Sequence, residues 1–299
     1  MLNKKLIKGS RIKEYIFIAL MLFIPIAHFI IFWLYINLNS ILLAFQYNVG
    51  DKITWGFKYF EVFYKDVTSA NSEILGAIFN TFKYFSANIF ITLPLSLLLC
   101  YFLYKKIKGY KFFRFVFYLP SIISATVMVV LFKYIIGVNG PIGVITAALG
   151  KDFIPFLSDS SYATKTILFY VVSFGLGGNM ILLSGAMSNI DESIIEAGKI
   201  DGVNMTREIF QIVIPLIWPT LSTMIILAFV GMFGASGPIL LFTNGAYNTY
   251  TISFWIYQRV QIGAYNYPAA IGLIFTLIGT PIALTMRHIL NKSVQGAED

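Results

Sequence analysis

Six long apolar stretches, almost free of charge, constrain the fold of this chain more than any other feature. A helix needs about 20 mostly apolar residues to cross the hydrocarbon core of a bilayer. Stretches of that length lie at 15–38, 78–104, 115–136, 166–187, about 209–234 and 265–286. Only 12% of the 299 residues are charged, about half the share typical of soluble domains. The sequence therefore predicts an all-α fold, a polytopic bundle of six transmembrane helices. It argues against a soluble enzyme and a nucleic-acid-binding protein.

The uncharged run from Ile209 to Gln258 is too long for one transmembrane helix. Glycines and a proline interrupt it after residue 230, and a cluster rich in Asn and Gly near residue 245 is typical of a loop. We interpret the run as one span followed by an apolar excursion outside the membrane. A re-entrant segment over 235–258 is the alternative.

The basic residues predict the orientation of the chain, because Lys and Arg concentrate in cytoplasmic loops. Fourteen of the 22 lie in the N-terminal arm, the 105–114 and 188–208 loops and the C-terminus, whereas the opposite loops hold six. We therefore expect both termini in the cytoplasm and the loops at 39–77, 137–165 and 235–264 outside. The first apolar stretch is longer than a signal-peptide core and lacks a cleavage pattern, so it is expected to be an uncleaved anchor. The predicted parts are a cytoplasmic arm (1–14), a membrane domain (15–290) and a cytoplasmic tail (291–299).

Few residues offer catalytic or metal-binding chemistry. The single cysteine, Cys100, cannot form an internal disulfide and is expected to act as a small apolar residue. The two histidines, His28 and His288, belong to no metal-binding spacing. The closest approach to an ATP-binding P-loop is Gly150-Lys151-Asp152, which lacks the first glycine and the final Ser or Thr. We therefore expect no cofactor in this chain and no enzymatic activity of its own.

The loop at 188–208 concentrates acidic residues and helix signals. It holds five of the fourteen Asp and Glu residues. Asn189 or Asp191 can cap a short helix, Glu192 suits its positive end, and Ile194, Ile195 and Ala197 give it an apolar side. Gly202 permits a sharp turn, and Pro215 can kink the next span. From charge alone, a solvated loop is the simpler interpretation.

The spacing within this loop resembles a known motif. The string EAGKIDGVNMTREIFQIVIPL resembles the EAA loop of ATP-binding-cassette (ABC) importer permeases, which runs E-A-A-x-x-D-G followed by a later I-x-L-P. The residues in register are Glu196, Ala197, Asp201, Gly202, Ile212 and Pro215, while Gly198 replaces the third motif residue and Ile214 the leucine. The resemblance extends over nearly the whole chain and is greatest to carbohydrate-uptake permeases related to the maltose and glycerol-phosphate systems. It includes Trp55–Phe60, Phe117–Pro120 in the third span, and Phe156–Asp159. A Gly-Gly-Pro run common in relatives is replaced by Asn244–Tyr247.

The resemblance implies a type I ABC importer permease fold and a function as the membrane subunit of an ATP-driven sugar or oligosaccharide importer. The loop helix would dock on a separate cytoplasmic ATPase and transmit its movement to the spans. Glu196 would contact the ATPase, Gly202 would allow a bend, and Pro215 would hold the angle into the fifth span. The implied coupling residues are Glu196, Ala197, Gly198, Asp201, Gly202 and Pro215.

The same resemblance implies several partners in a bacterial cell membrane. They are cytoplasmic ATP-binding subunits that carry ATP and Mg, a second, similar permease subunit, and an extracellular or periplasmic solute-binding protein. Membrane lipid would surround the spans, and no nucleic acid is expected.

Polar and aromatic residues inside the spans are candidates for the substrate path: Asn80, Tyr84, Asn88, Tyr170, Ser173 and Asn179. Asn and Ser in transmembrane helices more often bond to a neighbouring helix. Lys83 and Lys133 lie near span ends, where they can snorkel to the interface or attract an anionic sugar.

Two other function classes remain as alternatives. A self-sufficient secondary transporter of a small polar solute usually carries buried carboxylates or ion sites at broken helices. An intramembrane enzyme needs a cluster of His, Asp, Glu, Ser or Lys within its spans. The predicted spans contain no Asp or Glu, so the importer subunit is the preferred prediction.

Overall fold

The computed structural model describes residues 2–50, 52–69, 72–234 and 238–295, and it describes side chains from residue 13 to residue 292. The α-helices are α1 (Leu2–His28), α2 (Ile36–Ala44), α3 (Lys58–Thr68), α4 (Glu73–Ala87), α5 (Leu93–Tyr104), α6 (Tyr110–Ile122), α7 (Ala125–Ile136), α8 (Pro141–Ala148), α9 (Ala163–Ser188), α10 (Glu192–Ile200), α11 (Met205–Arg207), α12 (Ile214–Met232), α13 (Ile239–Phe242), α14 (Ile252–Gln261) and α15 (Asn266–Gln295). Segments of π-helix at Phe29–Tyr35, Asn88–Thr92 and Glu208–Val213 join α1 to α2, α4 to α5 and α11 to α12. The strands are β1 (Gln46–Val49) and β2 (Lys52–Trp55).

Six helical segments in the described part of the chain are long and apolar enough to cross a membrane. They are Lys13–Ala44, Glu73–Tyr104, Ala125–Ala148, Ala163–Ser188, Met205–Met232 and Asn266–Lys292. Each overlaps one of the six predicted stretches. The predicted class, a helical bundle with six spans, is therefore confirmed.

The third span differs from its prediction. The predicted stretch 115–136 is two helices, because the chain becomes extended at Ile123 (ψ 143°) and Ser124 (ψ 133°). The tetrapeptide Phe117–Pro120 therefore lies in α6, before the break, and the membrane-length segment is Ala125–Ala148. Pro120, which has no N–H to donate within its helix, lies shortly before this break. The residues on both sides of the break are mostly apolar, so the hydropathy pattern does not show it.

One compact unit contains residues up to Tyr64 together with Ile262–Ile274. Its strands β1 and β2 pair antiparallel, with Gln46 opposite Trp55 and Val49 opposite Lys52. The Asn266 amide donates to the carbonyls of Leu43 (3.0 Å) and Gln46 (2.9 Å) and so joins the start of α15 to the base of the hairpin. The side chains of the first span from residue 15 to residue 42 are almost all exposed and mostly apolar, as expected of a helix that faces lipid.

The second compact unit contains Lys65–Gln261 and the chain from Phe275 onward. Its main core joins the second, fourth and fifth spans to α10; its buried members are Leu93, Leu97, Cys100, Tyr101, Leu183, Met187, Ile195, Ile209, Val213, Ile217, Leu221 and Met224. A second core lies between α7, α9 and α13; its buried members are Met128, Val129, Phe132, Ile136, Ile167, Tyr170 and Phe242. Cys100 is 1% exposed in the main core, which confirms its prediction as a buried apolar residue.

Small residues allow close helix packing in this unit. A Cβ added to Gly177 of α9 would lie 2.7 Å from the Phe117 carbonyl oxygen of α6. The Tyr118 hydroxyl of α6 lies 3.0 Å from the Ser184 hydroxyl of α9. The lack of a side chain at Gly177 therefore lets α6 and α9 approach each other closely.

The apolar excursion after the fifth span consists of the short helices α13 and α14 and an irregular turn between them. The turn contains four residues with positive φ, as its Asn- and Gly-rich sequence predicts: Asn244, Gly245, Tyr247 and Asn248. The Asn80 amide of α4 donates to the carbonyls of Asn248 (2.7 Å) and Tyr250 (3.0 Å). Helices of 4 and 10 residues are too short to span a bilayer. The run from Ile209 to Gln258 therefore contains one membrane-length helix, as predicted.

Candidate functional site

The loop between the fourth and fifth spans contains α10, which begins at a side-chain cap. The Asp191 carboxylate accepts a hydrogen bond from the Ser193 amide (2.9 Å), so the predicted capping residue is confirmed. This bond holds the pKa of Asp191 below its ordinary value, because the backbone N–H stabilises the charged carboxylate. Asp191 is therefore ionised at neutral pH, next to the positive end of the helix.

The other end of α10 closes with a left-handed residue. Gly202 has φ +69°; its amide donates to the Lys199 carbonyl (3.2 Å), and the Val203 amide donates to the Gly198 carbonyl (2.9 Å). These two bonds are those of a Schellman motif, which ends a helix and turns the chain away from its axis. The sharp turn predicted at Gly202 is therefore confirmed.

One face of α10 is buried against the membrane domain. Ile195 is 4% exposed and belongs to the main core with residues of the second, fourth and fifth spans. Gly198, three residues later on the same face, is also buried. A Cβ added there would lie 3.0 Å from Ile212 Cδ1 and 3.9 Å from Val203 Cγ2. Gly198 therefore lets α10 approach the start of the fifth span closely.

The opposite face of α10 is exposed. Glu196 and Ile200 lie one helical turn apart on it, and Ile200 is 86% exposed. Ile194 and Ala197 are exposed as well, so the apolar side predicted for this helix is divided between two faces. Period 3.6 separates Ile195 from Ile194 by about 100° around the helix, and the main core reaches only the side of Ile195. Ile194, Ala197 and Ile200 follow one another at intervals of three residues, so the exposed part of α10 carries a short apolar strip next to Glu196.

A second helical start leads from the loop into the fifth span. The Asn204 side chain caps α11 by accepting from the Arg207 amide (3.0 Å). The π-helical segment Glu208–Val213 follows and runs on into α12, and Pro215, which has no N–H to donate, lies in the first turn of α12. The predicted kink is therefore a change of helix type just before Pro215.

A buried ion pair connects this start to the second span. Glu208 is 7% exposed, and its carboxylate pairs with the ammonium of Lys105, the residue that caps the end of α5. The Lys105 ammonium also lies 5.6 Å from the centre of the Tyr101 ring. The loop is thus joined to the second span by charge as well as by apolar packing.

The residues predicted for a substrate path lie on the second and fourth spans. Tyr84 and Tyr170 belong to the second core, where Tyr170 contacts the rings of Phe132 (5.2 Å) and Phe242 (5.0 Å). The buried Tyr84 hydroxyl has no hydrogen-bond partner among the described residues. Three others, Asn88, Ser173 and Asn179, are half-buried in the second and fourth spans.

Asn80 also lines a cleft of about 940 Å³ between the starts of α4 and α9, with both polar and apolar residues in its lining, which we term the lysine cleft. Its lining includes Glu73, Asn80, Lys83, Thr164, Lys165 and Tyr250. The Lys83 ammonium donates to Asn80 Oδ1 (3.2 Å). The other lysine near a span interior, Lys133, donates to the Leu241 carbonyl (3.2 Å) and is absent from the lining residues.

Sequence reasoning missed three of these features. It counted Lys105 and Lys165 only among the charges that predict the orientation, and it gave no role to Asn204. The Asn204 cap has a local signal, an Asn at the start of a helical segment. The pairing of Lys105 with Glu208 has none, because the two residues are far apart in sequence and meet only through the packing of the second span on the fifth.

The chain is similar to known membrane transport proteins over most of its length. A family model described as the binding-protein-dependent transport system inner membrane component matches residues 92–296. The probable ABC transporter permease protein YesP of Bacillus subtilis (strain 168) is 26% identical over 211 residues, which are 68% of this chain and 66% of the relative. The multiple sugar-binding transport system permease protein MsmF of Streptococcus mutans serotype c is 24% identical over 272 residues, 89% of this chain and 92% of the relative.

A solved structure shares the fold. A bacterial alginate ABC transporter, crystallised in complex with an alginate pentasaccharide-bound periplasmic protein, has a chain that aligns with a TM-score of 0.82 at 22% identity, covering 95% of this chain and 97% of that one. With a family match over most of the chain and six membrane-length helices, the resemblance inferred from the 188–208 loop is confirmed: the chain belongs to the family of binding-protein-dependent transport system inner membrane components.

Proposed function

We propose that this chain is the membrane-spanning subunit of an ATP-driven importer that moves a sugar or oligosaccharide across the membrane by alternating access. The observation that carries the proposal is the division of α10 into two faces. Ile195 and Gly198 fix one face to the core of the spans, whereas Glu196 and Ile200 leave the other face free for a partner. Because one face of α10 is packed on the spans, a movement of the partner bound to the other face is transmitted to the spans.

The partner is a separate cytoplasmic ATPase that binds ATP and Mg, and the coupling residues are Glu196, Ala197, Gly198, Asp201, Gly202 and Pro215. The family description, with its binding-protein-dependent transport, supports a solute-binding protein on the outer side. A second, similar permease subunit completes the pathway. The sugar class is supported by the similarity to MsmF, a permease of a multiple sugar-binding transport system, and to the alginate transporter.

An interface substitution tests the coupling role. Ile200→Asp places a charge on the exposed face of α10 without touching Ile195, so the chain still inserts and folds. We expect association with the ATPase subunit, measured by co-purification from membranes, to fall about tenfold or more, as it does when an apolar anchor of an interface is lost. ATP-dependent uptake into proteoliposomes falls with it.

The matched control is Ile262→Asp, which changes a residue that is 73% exposed in a loop expected on the other side of the membrane. This variant keeps its ATPase. Unchanged co-purification of the Ile200→Asp variant contradicts the coupling role. Uptake by the chain without any ATPase, driven by an ion gradient, supports a secondary transporter instead.

A further inference from the structure

We propose that the lysine cleft binds the carboxylate groups of an anionic oligosaccharide. This inference rests on the proposed function and narrows it, because it names the class of sugar that the importer moves. The cleft lies in one compact unit, between the first turns of α4 and α9 and the turn at Asn248 and Tyr250.

The charge of the cleft is positive. Of its three charged lining residues, Lys83 and Lys165 are cationic and Glu73 is anionic. The Glu73 carboxylate is already engaged, because one oxygen accepts from the Arg259 guanidinium (3.0 Å) and from the Trp255 indole N–H (3.3 Å). The two lysines therefore dominate the field inside the cleft, and each has an exposed side chain.

The position of Lys83 is held by a buried side chain. Asn80 is 4% exposed; its amide nitrogen is committed to two backbone carbonyls, and its oxygen accepts from the Lys83 ammonium. An ammonium has three donors, so Lys83 keeps others for a ligand while its place is fixed. This arrangement favours binding, because less side-chain freedom is lost when the ligand arrives.

The helix ends add to the attraction. The 15-residue helix α4 begins at Glu73 and the 26-residue helix α9 begins at Ala163, so both start beside the cleft. The N-terminus of a helix carries a partial positive charge. Asp159 lies near the start of α9, but its carboxylate accepts from the Ser161 amide (2.7 Å) and is absent from the lining.

The size and lining favour a saccharide over a single protein carboxylate. A cleft of about 940 Å³ matches the upper range of small-molecule sites, about 300–1,000 Å³. Besides the two lysines, the lining includes Ser161, Thr164, Asn248 and Tyr250, residues with hydroxyl, amide and aromatic groups. Sugar hydroxyls and ring faces use such groups, and uronate carboxylates use the lysines.

Direct binding of a defined probe tests the proposal. The importer complex, with this chain in lipid nanodiscs, is titrated with trigalacturonate and with the neutral trigalactoside of the same length, by saturation-transfer NMR at low salt. We expect trigalacturonate to bind, and the double substitution Lys83→Gln with Lys165→Gln to weaken it about tenfold or more. Salt weakens the binding to wild type. Lys151→Gln, which removes an exposed lysine outside the cleft lining, leaves binding unchanged.

Three results overturn the proposal. One is absence of trigalacturonate binding to the wild-type complex, and another is binding that the double substitution leaves unchanged. The third is a double variant that loses docking of the solute-binding protein but keeps trigalacturonate, which assigns the cleft to protein contact. None of these measurements uses ATP, so a failure of ATPase coupling leaves this test intact and the two proposals fail separately.

Discussion

Gly202 is the residue on which the turn after α10 depends. Its φ of +69° lies in the left-handed region, which costs residues with a Cβ roughly 1–2 kcal/mol, least for Asn. The sequence alone identified this position, because a motif glycine after a short helix is the signal of a left-handed cap.

Two substitutions at Gly202 separate its conformation from its lack of a side chain. Gly202→Asn retains coupling, because Asn tolerates positive φ, whereas Gly202→Val distorts the turn and uncouples ATP hydrolysis from uptake. Open space surrounds this position, so crowding does not explain a difference between them. The ratio of sugar taken up to ATP hydrolysed in proteoliposomes measures the effect. Equal ratios for the two variants argue against a role for the turn in coupling.

Gly198 shows that the motif alone does not predict which residues pack against α10. An alanine is usual at this position of the EAA motif, and an added Cβ here would meet the flexible end of Ile212 at 3.0 Å. A small movement of that methyl group accommodates alanine, but nothing larger. The sequence shows the departure from the motif, and only the fold shows which neighbour the glycine touches.

At the scale of the elements, the link between the loop and the second span is the Lys105–Glu208 pair. The side chain of Glu208 is 9% exposed and that of Lys105 is 23% exposed. Removing one member of a buried pair leaves the other charge uncompensated, at a cost of about 3 kcal/mol when burial is nearly complete.

Charge reversal tests this link. Glu208→Lys is expected to lower the thermal midpoint of the purified chain and to impair coupling, and Lys105→Glu in the same molecule restores part of both. The control is Glu73→Gln at the exposed pair with Arg259, where the two side chains are 60% and 42% exposed; its effect on stability is about 1 kcal/mol or less. Additive losses in the double Lys105→Glu, Glu208→Lys variant refute a pairwise interaction.

The elements were predictable to different degrees. The fourth span is one helix, Ala163–Ser188, close to the predicted 166–187. The predicted third span, 115–136, is instead two helices, because Ile123 and Ser124 interrupt a mostly apolar run. Hydropathy indicates whether a segment prefers lipid, but it does not indicate where the backbone leaves the helical conformation.

At the scale of the whole molecule, the distribution of basic residues predicts the side on which each loop lies. The single native thiol, Cys100, is buried, so replacing it with alanine gives a background without reactive cysteine. Lys151→Cys is then expected to react with a membrane-impermeant maleimide in intact cells, and Ser193→Cys only after permeabilisation. Both positions are exposed. The reverse pattern of labelling places the termini outside and contradicts the assigned orientation.

The sequence by itself determined the class of fold, the number of spans, the loop that carries the motif and the turn at Gly202, and it narrowed the N-terminal cap of α10 to Asn189 or Asp191. These follow from local properties, namely hydropathy over about 20 residues and the conformational preference of single residues. Only the tertiary structure decided that Ile195 faces the core, that Lys105 meets Glu208, and that Asn80 holds Lys83 in a cleft with Lys165. The contacts of Ile195 and Lys105 join different elements, and the cleft brings Lys83 of α4 together with Lys165 of α9, so packing between helices fixes these arrangements and no local sequence pattern predicts them.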